Sequence, residues 1–320
     1  MRVLVTGGAG YIGSHLVDAL CEQGHEVRVL DNLSTGNAVN LRHRLDQIGF
    51  VNGSILDASL VEREVEWAQM VFHLAAAVGV RHIVEDPLGS LLTNTRGTEN
   101  VLSACHRYWR KVLVASTSEV YGKTAKVPMV EDDDRVLGPT TVHRWSYSTA
   151  KAIDEHLAFA YAAQTLPVVI VRYFNSYGPR IDEKGYGSVV ANFLRQALAG
   201  EPLSVHGDGK QSRCFTYVDD TVKGTLLAGF TPEAEGMVFN LGSTRETSVA
   251  ELAQMIRESV GSRSPIEFTP YEAYYGSGFE DTRRRVPDTT RAREVLGWEA
   301  EVPLEEGLER TIEWWQKSHA

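Results

Sequence analysis

A tyrosine and a lysine four positions apart have the residue types and spacing of an acid–base pair. Tyr147 and Lys151 open a segment with helical periodicity over 148–164, so their side chains lie on one face of the predicted helix. An ammonium group close to a phenol lowers the pKa of the phenol, which would allow Tyr147 to accept a proton near neutral pH. The alternative is an aromatic residue and a solvated lysine on a helix surface, and a second motif is needed to choose between the two.

The second motif is a glycine-rich turn near the start of the chain. Gly7, Gly10 and Gly13 form the pattern GxxGxxG between a predicted strand over 2–6 and a predicted helix over about 12–23. The first glycine permits a tight turn, the second lets the backbone approach a pyrophosphate, and the third allows close packing of helix and strand. The free N–H groups at the helix N-terminus favour bound phosphate. The pattern therefore predicts a dinucleotide-binding site.

The dinucleotide is predicted to be NAD rather than NADP. Asp31 ends the second predicted strand, 18 residues after the last glycine of the motif, and is followed by Asn32. A carboxylate at this place accepts hydrogen bonds from the adenosine ribose diol and repels a 2′-phosphate. The positive charge of the oxidised nicotinamide would add to that of Lys151 in lowering the pKa of Tyr147. Asp57 is a candidate partner for the adenine amino group, with the N-cap of a helix as the alternative.

Strands and helices alternate over the first half of the chain, which predicts an α/β fold. Residues 1–177 are predicted to form a Rossmann-type, doubly wound parallel sheet that binds NAD. After about Gly178 the helical segments are separated by longer polar connections, so 178–320 are predicted to form a smaller C-terminal α/β lobe that binds the substrate. One later segment, 237–243, is predicted to join the main sheet as a strand.

The composition excludes several classes of protein. The 320 residues are 43% hydrophobic and 23% charged, which is ordinary for a globular chain and excludes a disordered or coiled-coil protein. The net charge of −10 argues against nucleic acid as a partner. The three cysteines lack a CxxC pattern and the ten histidines lack metal-ligand spacing, so neither a disulfide framework nor a metal site is expected. No apolar run is long enough for a membrane span, and the strand-like start leaves no room for a signal peptide, so the predicted location is the cytoplasm.

Further motifs make the chain resemble the extended short-chain dehydrogenase/reductase family of nucleotide-sugar epimerases, dehydratases and decarboxylases. In chain order they are HLAA (73–76), NTRGTEN (94–100), STSEVYG (116–122), RYFNSYGP (172–179), GDGKQ (207–211), RCFTYVDD (213–220) and LGW (296–298). The resemblance covers residues 1 to about 315. It implies NAD as the cofactor, a UDP-sugar as the substrate, and a catalytic set of Thr117, Tyr147 and Lys151.

The resemblance also implies which residues bind the two ligands. Besides Tyr147 and Lys151, those for NAD are Gly7, Gly10, Tyr11, Ile12, Gly13, Asp31, Asn32, Asp57, Leu74, Ala75, Ala76 and Asn94. Those for the UDP-sugar are Asn175, Val189, Val205, Arg213 and Arg285. Arginine suits the diphosphate because its guanidinium group binds two phosphate oxygens at once. Arg285 is one of three consecutive arginines, and a solvated basic surface is the alternative for it.

Enzymes of this kind share a first step. Tyr147 takes the proton of the sugar 4-hydroxyl while hydride passes from C4 to NAD, and Thr117 hydrogen-bonds the 4-oxygen. The resulting 4-ketone acidifies the hydrogen on C5 and weakens the bond to a carboxylate at that carbon. Glu119 distinguishes the branches that follow, because a dehydratase needs a base at C5 and a simple 4-epimerase does not.

The sequence around Glu119 favours one reaction. Ser118 stands where 4,6-dehydratases carry an aspartic acid, and uronate decarboxylases also show Ser-Glu. The runs RW (144–145) and YYG (274–276) are similar to those of bacterial UDP-glucuronate decarboxylases, but the arginine usual in the segment aligned with 185–190 is absent. The main prediction is an NAD-dependent UDP-hexose dehydratase, similar to the UDP-N-acetylglucosamine 5,6-dehydratases of tunicamycin biosynthesis. Glu119 would be the C5 base, and NAD would be regenerated in each cycle.

Alternatives remain open for the reaction and for the assembly. A UDP-sugar 4-epimerase and a UDP-glucuronate decarboxylase belong to the same class, and Glu119 could instead position the cofactor or form a salt bridge at the pocket edge. A non-catalytic sensor of NAD or of a nucleotide sugar is a different class, disfavoured by the intact catalytic set. Amphipathic helices near 92–108 and 148–164 match those that pair in dimers of this family. A homodimer is therefore expected, unless both apolar faces belong to the intrachain core.

Overall fold

A parallel sheet of seven strands forms the centre of the molecule. The computed structural model describes residues 1–79, 86–181, 188–270 and 282–318. The strands are β1 (Arg2–Thr6), β2 (Glu26–Asp31), β3 (Gly49–Asn52), β4 (Met70–His73), β5 (Lys111–Thr117), β6 (Val168–Tyr173), β7 (Ser176–Tyr177), β8 (Leu203–His206), β9 (Ser212–Cys214), β10 (Thr216–Tyr217), β11 (Val238–Leu241), β12 (Glu246–Ser248), β13 (Ile266–Thr269) and β14 (Arg284–Arg285). The order in the main sheet is β11-β6-β5-β4-β1-β2-β3. This doubly wound order confirms the predicted Rossmann-type fold.

Helices cover both faces of the main sheet. They are α1 (Tyr11–Glu22), α2 (Ala58–Trp67), α3 (Pro87–Tyr108), α4 (Ser146–Ala162), α5 (Val189–Ala199), α6 (Val218–Phe230), α7 (Val249–Ser259), α8 (Thr290–Leu296) and α9 (Leu304–Ser318). Successive side chains of a strand point to opposite faces. Leu4 of β1 therefore packs in a core with Val61 of α2 and Val101 of α3, whereas Val3 packs on the other face with Leu16 of α1.

Two helix starts differ from the prediction in a way that matters for the site. The helix predicted from about residue 92 begins at Pro87, because Asp86 caps its N-terminus by accepting a hydrogen bond from Gly89 N. The helix predicted from Ser148 begins at Ser146. Tyr147 consequently lies in the first turn of α4, at the end of the helix that meets the sheet edge.

The C-terminal part forms small sheets on top of the main one. In one of them β9 lies between β12 and β14, and in the others β13 pairs with β8 and β10 pairs with β7. Within the segment predicted to return to the main sheet, β11 pairs in parallel with β6. One continuous hydrophobic core contains both Val5 of the main sheet and Leu252 and Leu308 of the C-terminal part. The domain boundary after residue 177 stays a prediction.

The order of the strands fixes where a ligand can bind. β1 lies between β2 and β4. The chain continues from β1 through β2 and β3 towards one edge of the sheet, and then from β4 through β5 and β6 towards the other edge. In doubly wound sheets the crevice beyond the carboxyl ends of such strands is the usual ligand site. Thr6, Asp31, His73 and Thr117 end four of these strands and lie around that crevice. Among the described residues, the helices are too short or too polar to cross a membrane.

Candidate active site

A cavity of about 730 Å³ opens at the carboxyl ends of the parallel strands, and the glycine turn forms one wall of it. Gly7 has a left-handed backbone conformation, φ +73°, and a Cβ atom there would lie 2.6 Å from Ala75 N. A Cβ on Gly13 would lie 2.2 Å from Gly7 O. The turn therefore packs directly on the loop after β4 and on the first turn of α1. Only glycine fits these two positions, which leaves the N-terminus of α1 accessible to a phosphate group.

Asp31 is held at the mouth of the cavity by two backbone hydrogen bonds. Its carboxylate accepts 2.9 Å and 2.8 Å hydrogen bonds from Ala9 N and Leu33 N. Burial raises the pKa of Asp31, and the two backbone hydrogen bonds oppose that effect. This arrangement fits the adenosine ribose of NAD, because an oriented carboxylate is what the ribose diol requires.

Most of the residues predicted for NAD lie together along the cavity. The lining ones are Gly7, Gly10, Tyr11, Ile12, Gly13, Asp31, Asn32, Leu74, Ala75, Ala76 and Tyr147. Asp57 instead accepts a 3.0 Å hydrogen bond from Leu60 N and caps α2, which was the alternative interpretation. Asn94 is buried, and its amide bonds to both Ala77 N and Ala77 O, so it holds the loop after β4 in place.

Of the four predicted catalytic residues, Thr117, Glu119 and Tyr147 line the cavity, and Lys151 is not among its lining residues. Thr117 lies at the end of β5, and Tyr147 lies in the first turn of α4. Ser148 Oγ donates a 2.7 Å hydrogen bond to Glu119 O, which joins α4 to the short turn that follows β5. Lys151 lies one helical turn after Tyr147, is 2% exposed, and places its ammonium group 2.7 Å from Asp154 Oδ2.

The protein's own groups raise the pKa of Tyr147 well above its usual range, whereas the sequence predicted a lowering by Lys151. Burial is the largest cause, followed by the negative charges of Glu119 and Asp154, and Arg144 acts in the opposite direction. The difference arises because spacing along a helix shows the lysine beside the tyrosine, but neither the burial of the phenol nor the Glu119 carboxylate that the fold brings to the same place.

Glu119 is held by arginines. Arg144 Nη1 lies 2.5 Å from Glu119 Oε2, and Arg285 Nη1 lies 3.7 Å from Oε1. Burial alone would raise the pKa of Glu119, but Arg144, Arg285 and Arg213 together lower it to about 2. The salt-bridge alternative for Glu119 therefore matches its observed contacts. A carboxylate with this pKa is ionised near neutral pH and is a weak base.

The residues predicted for the UDP-sugar are divided between the cavity and the core. Asn175 and Arg285 line the cavity. Arg213 in β9 is buried beside Arg285, its register partner in β14, and its charge acts on Glu119. Val205 is fully buried in the hydrophobic core and Val189 is the first residue of α5, and neither lines the cavity.

The three consecutive arginines have different surroundings. Arg283 pairs with Asp208 and Arg284 pairs with Glu246 at the surface, with more than half of each arginine side chain exposed. Arg285 is the buried one, at 6% exposure. The YYG run at 274–276, and all but the last three residues of the segment 185–190, lie outside the described residues.

Sequence reasoning gave no role to two residues of the site. Arg144 enters the sequence prediction only as part of the RW run, although it lies three residues before the predicted base. Asp154 has no predicted role, although its spacing from Lys151 and Tyr147 places all three side chains on one helix face. Helical spacing was thus an available signal for Asp154, whereas the contact of Arg144 with Glu119 depends on the tertiary fold.

The cavity, the glycine turn and the Tyr–Lys pair together define a dinucleotide-dependent enzyme of the dehydrogenase type. A family model described as the NAD dependent epimerase/dehydratase family matches residues 3–242. The chain belongs to this family, whose members act on nucleotide sugars, and NAD is its cofactor.

Three similar proteins show the range of activities among its relatives. A UDP-N-acetyl-α-D-glucosaminuronate decarboxylase of Bacillus cytotoxicus is 44% identical over 99% of this chain and 98% of its own length. UDP-glucuronic acid decarboxylase 1 of Danio rerio is 40% identical over 99% of this chain and 73% of its own length. The crystal structure of a Thermotoga maritima UDP-glucose 4-epimerase with UDP-glucose aligns over 100% of both chains, with a TM-score of 0.91 and 37% identity. The two sequence relatives favour the decarboxylase alternative over the predicted dehydratase of the tunicamycin type.

Proposed function

We propose that this protein is an NAD-dependent UDP-uronate decarboxylase. It oxidises C4 of a UDP-glucuronate or UDP-N-acetylglucosaminuronate, releases the C6 carboxylate as carbon dioxide, and reduces the 4-ketone again. NAD is regenerated in each cycle, so the net reaction consumes the uronate and a proton and forms the UDP-pentose and carbon dioxide.

The observation that carries this proposal is the ion-pair geometry around Glu119. Three buried arginines, Arg144, Arg213 and Arg285, lower the pKa of Glu119, so their positive charges lie close to this part of the cavity. A substrate with a carboxylate at C6 complements these charges, whereas a neutral hexose does not. Among the three, Arg285 lines the cavity, so we assign to it the substrate carboxylate rather than the diphosphate.

The charge state of Glu119 separates decarboxylation from dehydration. A dehydratase needs a group that removes the C5 hydrogen, and Glu119, with a pKa of about 2, is a poor base for that purpose. Loss of carbon dioxide from a 4-keto uronate needs no base at C5, because the electron pair of the C5–C6 bond moves towards the ketone. The site therefore fits the reaction that makes the lesser demand on Glu119.

The residues of the chain divide the remaining work. Tyr147 accepts the proton of the 4-hydroxyl and returns it to the 4-oxygen, and the Thr117 hydroxyl orients that oxygen. When bound, NAD accepts the hydride of C4 and returns it, and its positive charge favours ionised Tyr147. Arg285 orients the C5–C6 bond by binding the carboxylate. After carbon dioxide has left, C5 takes up a proton that derives from solvent.

The relatives support a uronate, and they differ in the substituent at C2. The Bacillus cytotoxicus protein is named for an N-acetylated uronate and the Danio rerio protein for UDP-glucuronic acid. Both substrates should therefore be offered to the purified protein, with NAD, in deuterated water. We expect release of one carbon dioxide per UDP-pentose, one deuterium at C5, and no accumulation of NADH.

Two other substrates identify the competing reactions. Vinyl proton signals from UDP-N-acetylglucosamine would show that the protein is a dehydratase. A changed H4 coupling in UDP-glucose, without deuterium at C5, would show a 4-epimerase. Binding of NAD and UDP-sugars without any turnover would show a sensor, and any of these three results without carbon dioxide release would overturn the proposal.

A further inference from the structure

A carboxylate that the reaction does not use lies directly beside the catalytic lysine. Asp154 Oδ2 is 2.7 Å from Lys151 Nζ, and the two side chains are 0% and 3% exposed. Tyr147, Lys151 and Asp154 follow each other at spacings of four and three on α4, so they share one helix face. A fully buried ion pair contributes little net stability, because removing both charges from water costs about as much as their attraction returns. The position of the Lys151–Asp154 ion pair, one helical turn after Tyr147, therefore calls for a functional explanation.

The surroundings of Asp154 fix its place and leave Lys151 as its charged partner. Thr98 of α3 lies beside it, and the Thr98 hydroxyl contacts His73 Nε2 at 3.1 Å. His73 Nδ1 lies 2.8 Å from Thr6 Oγ1, so a buried polar chain runs from α4 to the end of β1. Burial, and then Lys151, lower the pKa of His73 to about 3, so this histidine is uncharged near neutral pH.

The charges that act on Tyr147 come from three elements. Glu119 belongs to the turn after β5, Arg144 to the turn before α4, and Asp154 to α4 itself. Glu155, the next residue of α4, is also buried and acts on Asp154, but its carboxylate is occupied by a bidentate contact with Arg172. Asp154 raises the pKa of Tyr147, in the direction opposite to that expected of Lys151.

We propose that Asp154 is a positioning residue that holds the Lys151 ammonium group and limits how strongly its positive charge acts on the Tyr147 hydroxyl. This proposal rests on the proposed function, in which Tyr147 must first accept a proton and later return it to the 4-oxygen. A phenol that ionises too easily gives a phenolate that is a weak base towards the 4-hydroxyl proton. Asp154 keeps the proton affinity of Tyr147 high enough for the first step, in which Tyr147 takes that proton.

The test is the pH dependence of turnover in Asp154→Asn. The asparagine amide still accepts a hydrogen bond from Lys151 but carries no charge, so Tyr147 should ionise at lower pH. We expect the acidic limb of the kcat/KM profile to move down by on the order of one pH unit. At high pH, where Tyr147 is ionised in both proteins, kcat should fall relative to the wild type, because the phenolate of the variant is the weaker base.

The matched control is Glu155→Gln, which neutralises the neighbouring buried carboxylate. It should lower the melting temperature by breaking the contact with Arg172 and should leave the acidic limb in place. If the acidic limb of the kcat/KM profile stays in place in Asp154→Asn as well, and both variants are equally destabilised, Asp154 has a structural role only. If the asparagine variant does not fold, Asp154→Ser, which leaves room for a water beside Lys151, replaces it with the same expected shift.

A second measurement does not depend on the substrate. The ultraviolet absorbance of tyrosinate is followed against pH in the NAD-loaded protein and in its NAD-loaded Tyr147→Phe variant, and the difference between the two curves is the titration of Tyr147. The same pair of curves is then recorded with Asp154→Asn present in both proteins. The tyrosinate signal should appear at lower pH when Asp154 is replaced. This shift can be present when no uronate turns over, in which case the proposed function has failed and the role of Asp154 stands. Its absence in a protein that does decarboxylate uronates would overturn the role of Asp154 alone.

Discussion

Arg144 Nη1 lies 2.5 Å from Glu119 Oε2, and this contact favours the charged form of a residue whose charge acts on Tyr147. The Arg144 side chain is 6% exposed and that of Glu119 is 19% exposed, so solvent screens the pair only in part. Arg285 adds a second positive charge at 3.7 Å. The carboxylate that the sequence predicts as a C5 base is thus an ionised partner of arginines.

Replacing Glu119 by glutamine should lower the free energy of unfolding near neutral pH, because Arg144 and Arg285 lose their counter-ion. The pKa of Glu119 falls from 4.5 to about 2 on folding. The stabilisation is therefore complete above pH 4.5 and is lost as the pH falls towards 2. The shift corresponds to on the order of 3 kcal/mol, and exposure of the side chain makes this an upper value.

Urea unfolding of both proteins, from about pH 7 down to the lowest pH at which both remain folded, measures this difference. It should be largest at neutral pH and shrink in acid. A difference that does not change with pH would mean that Glu119 stabilises the fold through packing rather than through its charge.

The parts of the site that depend on local spacing could be predicted from the sequence. Gly7 and Gly13 were identified because a tight turn between a strand and a helix has a fixed spacing, and the structure leaves no room for a Cβ at either position. Tyr147 and Lys151 were identified because residues four apart share a helix face. The parallel sheet followed from the alternation of strands and helices.

The parts that depend on contacts between distant segments could not be predicted. The pairing of Glu119 with Arg144 and Arg285 joins three separate regions of the chain, and no periodicity records it. Burial and the charge of Glu119, which act on the pKa of Tyr147, likewise follow from the tertiary fold and not from the spacing along α4. Asp57 satisfied two patterns at once, and the structure shows it only as a helix cap.

Arg285 and Arg284 are adjacent in sequence and differ in burial, which makes them a matched pair. Arg285→Met should reduce kcat/KM for a UDP-uronate by roughly 30-fold or more, because the substrate carboxylate loses a buried charged partner. Arg284→Met should change it little, since this side chain is 55% exposed and pairs with Glu246. Steady-state kinetics of the two variants check the assignment. Equal losses in both would place the substrate carboxylate elsewhere in the cavity.

Tyr147→Phe separates an enzyme from a sensor. Tyr147 lines the same cavity as the glycine turn and Asp31, and the substitution changes neither of them. The affinity for NAD should therefore stay close to that of the wild type. Turnover should fall by about 10²- to 10⁴-fold, the range for removal of a general acid–base group. Titration of the tryptophan fluorescence of the protein with NAD measures the affinity, and a carbon dioxide assay on the same preparation measures turnover. Turnover that survives the substitution would exclude Tyr147 as the base.

Exposed apolar side chains on α3 and α4 lead to a prediction about assembly. Leu88 and Leu92 on α3, and Ile153 and Phe159 on α4, are between 37% and 66% exposed, and these two helices pack against each other. Adjacent helices that present apolar residues to solvent fit a surface that a second copy of the chain covers. We therefore expect a homodimer, and Leu92→Glu combined with Ile153→Glu should shift it to monomer in sedimentation experiments. Phe268→Glu is the control, because Phe268 is even more exposed than Leu92 and Ile153, at 57%, and lies on β13 of the C-terminal part. A wild-type protein that is monomeric at assay concentration, or a double variant that remains dimeric, would show that these side chains are not the interface.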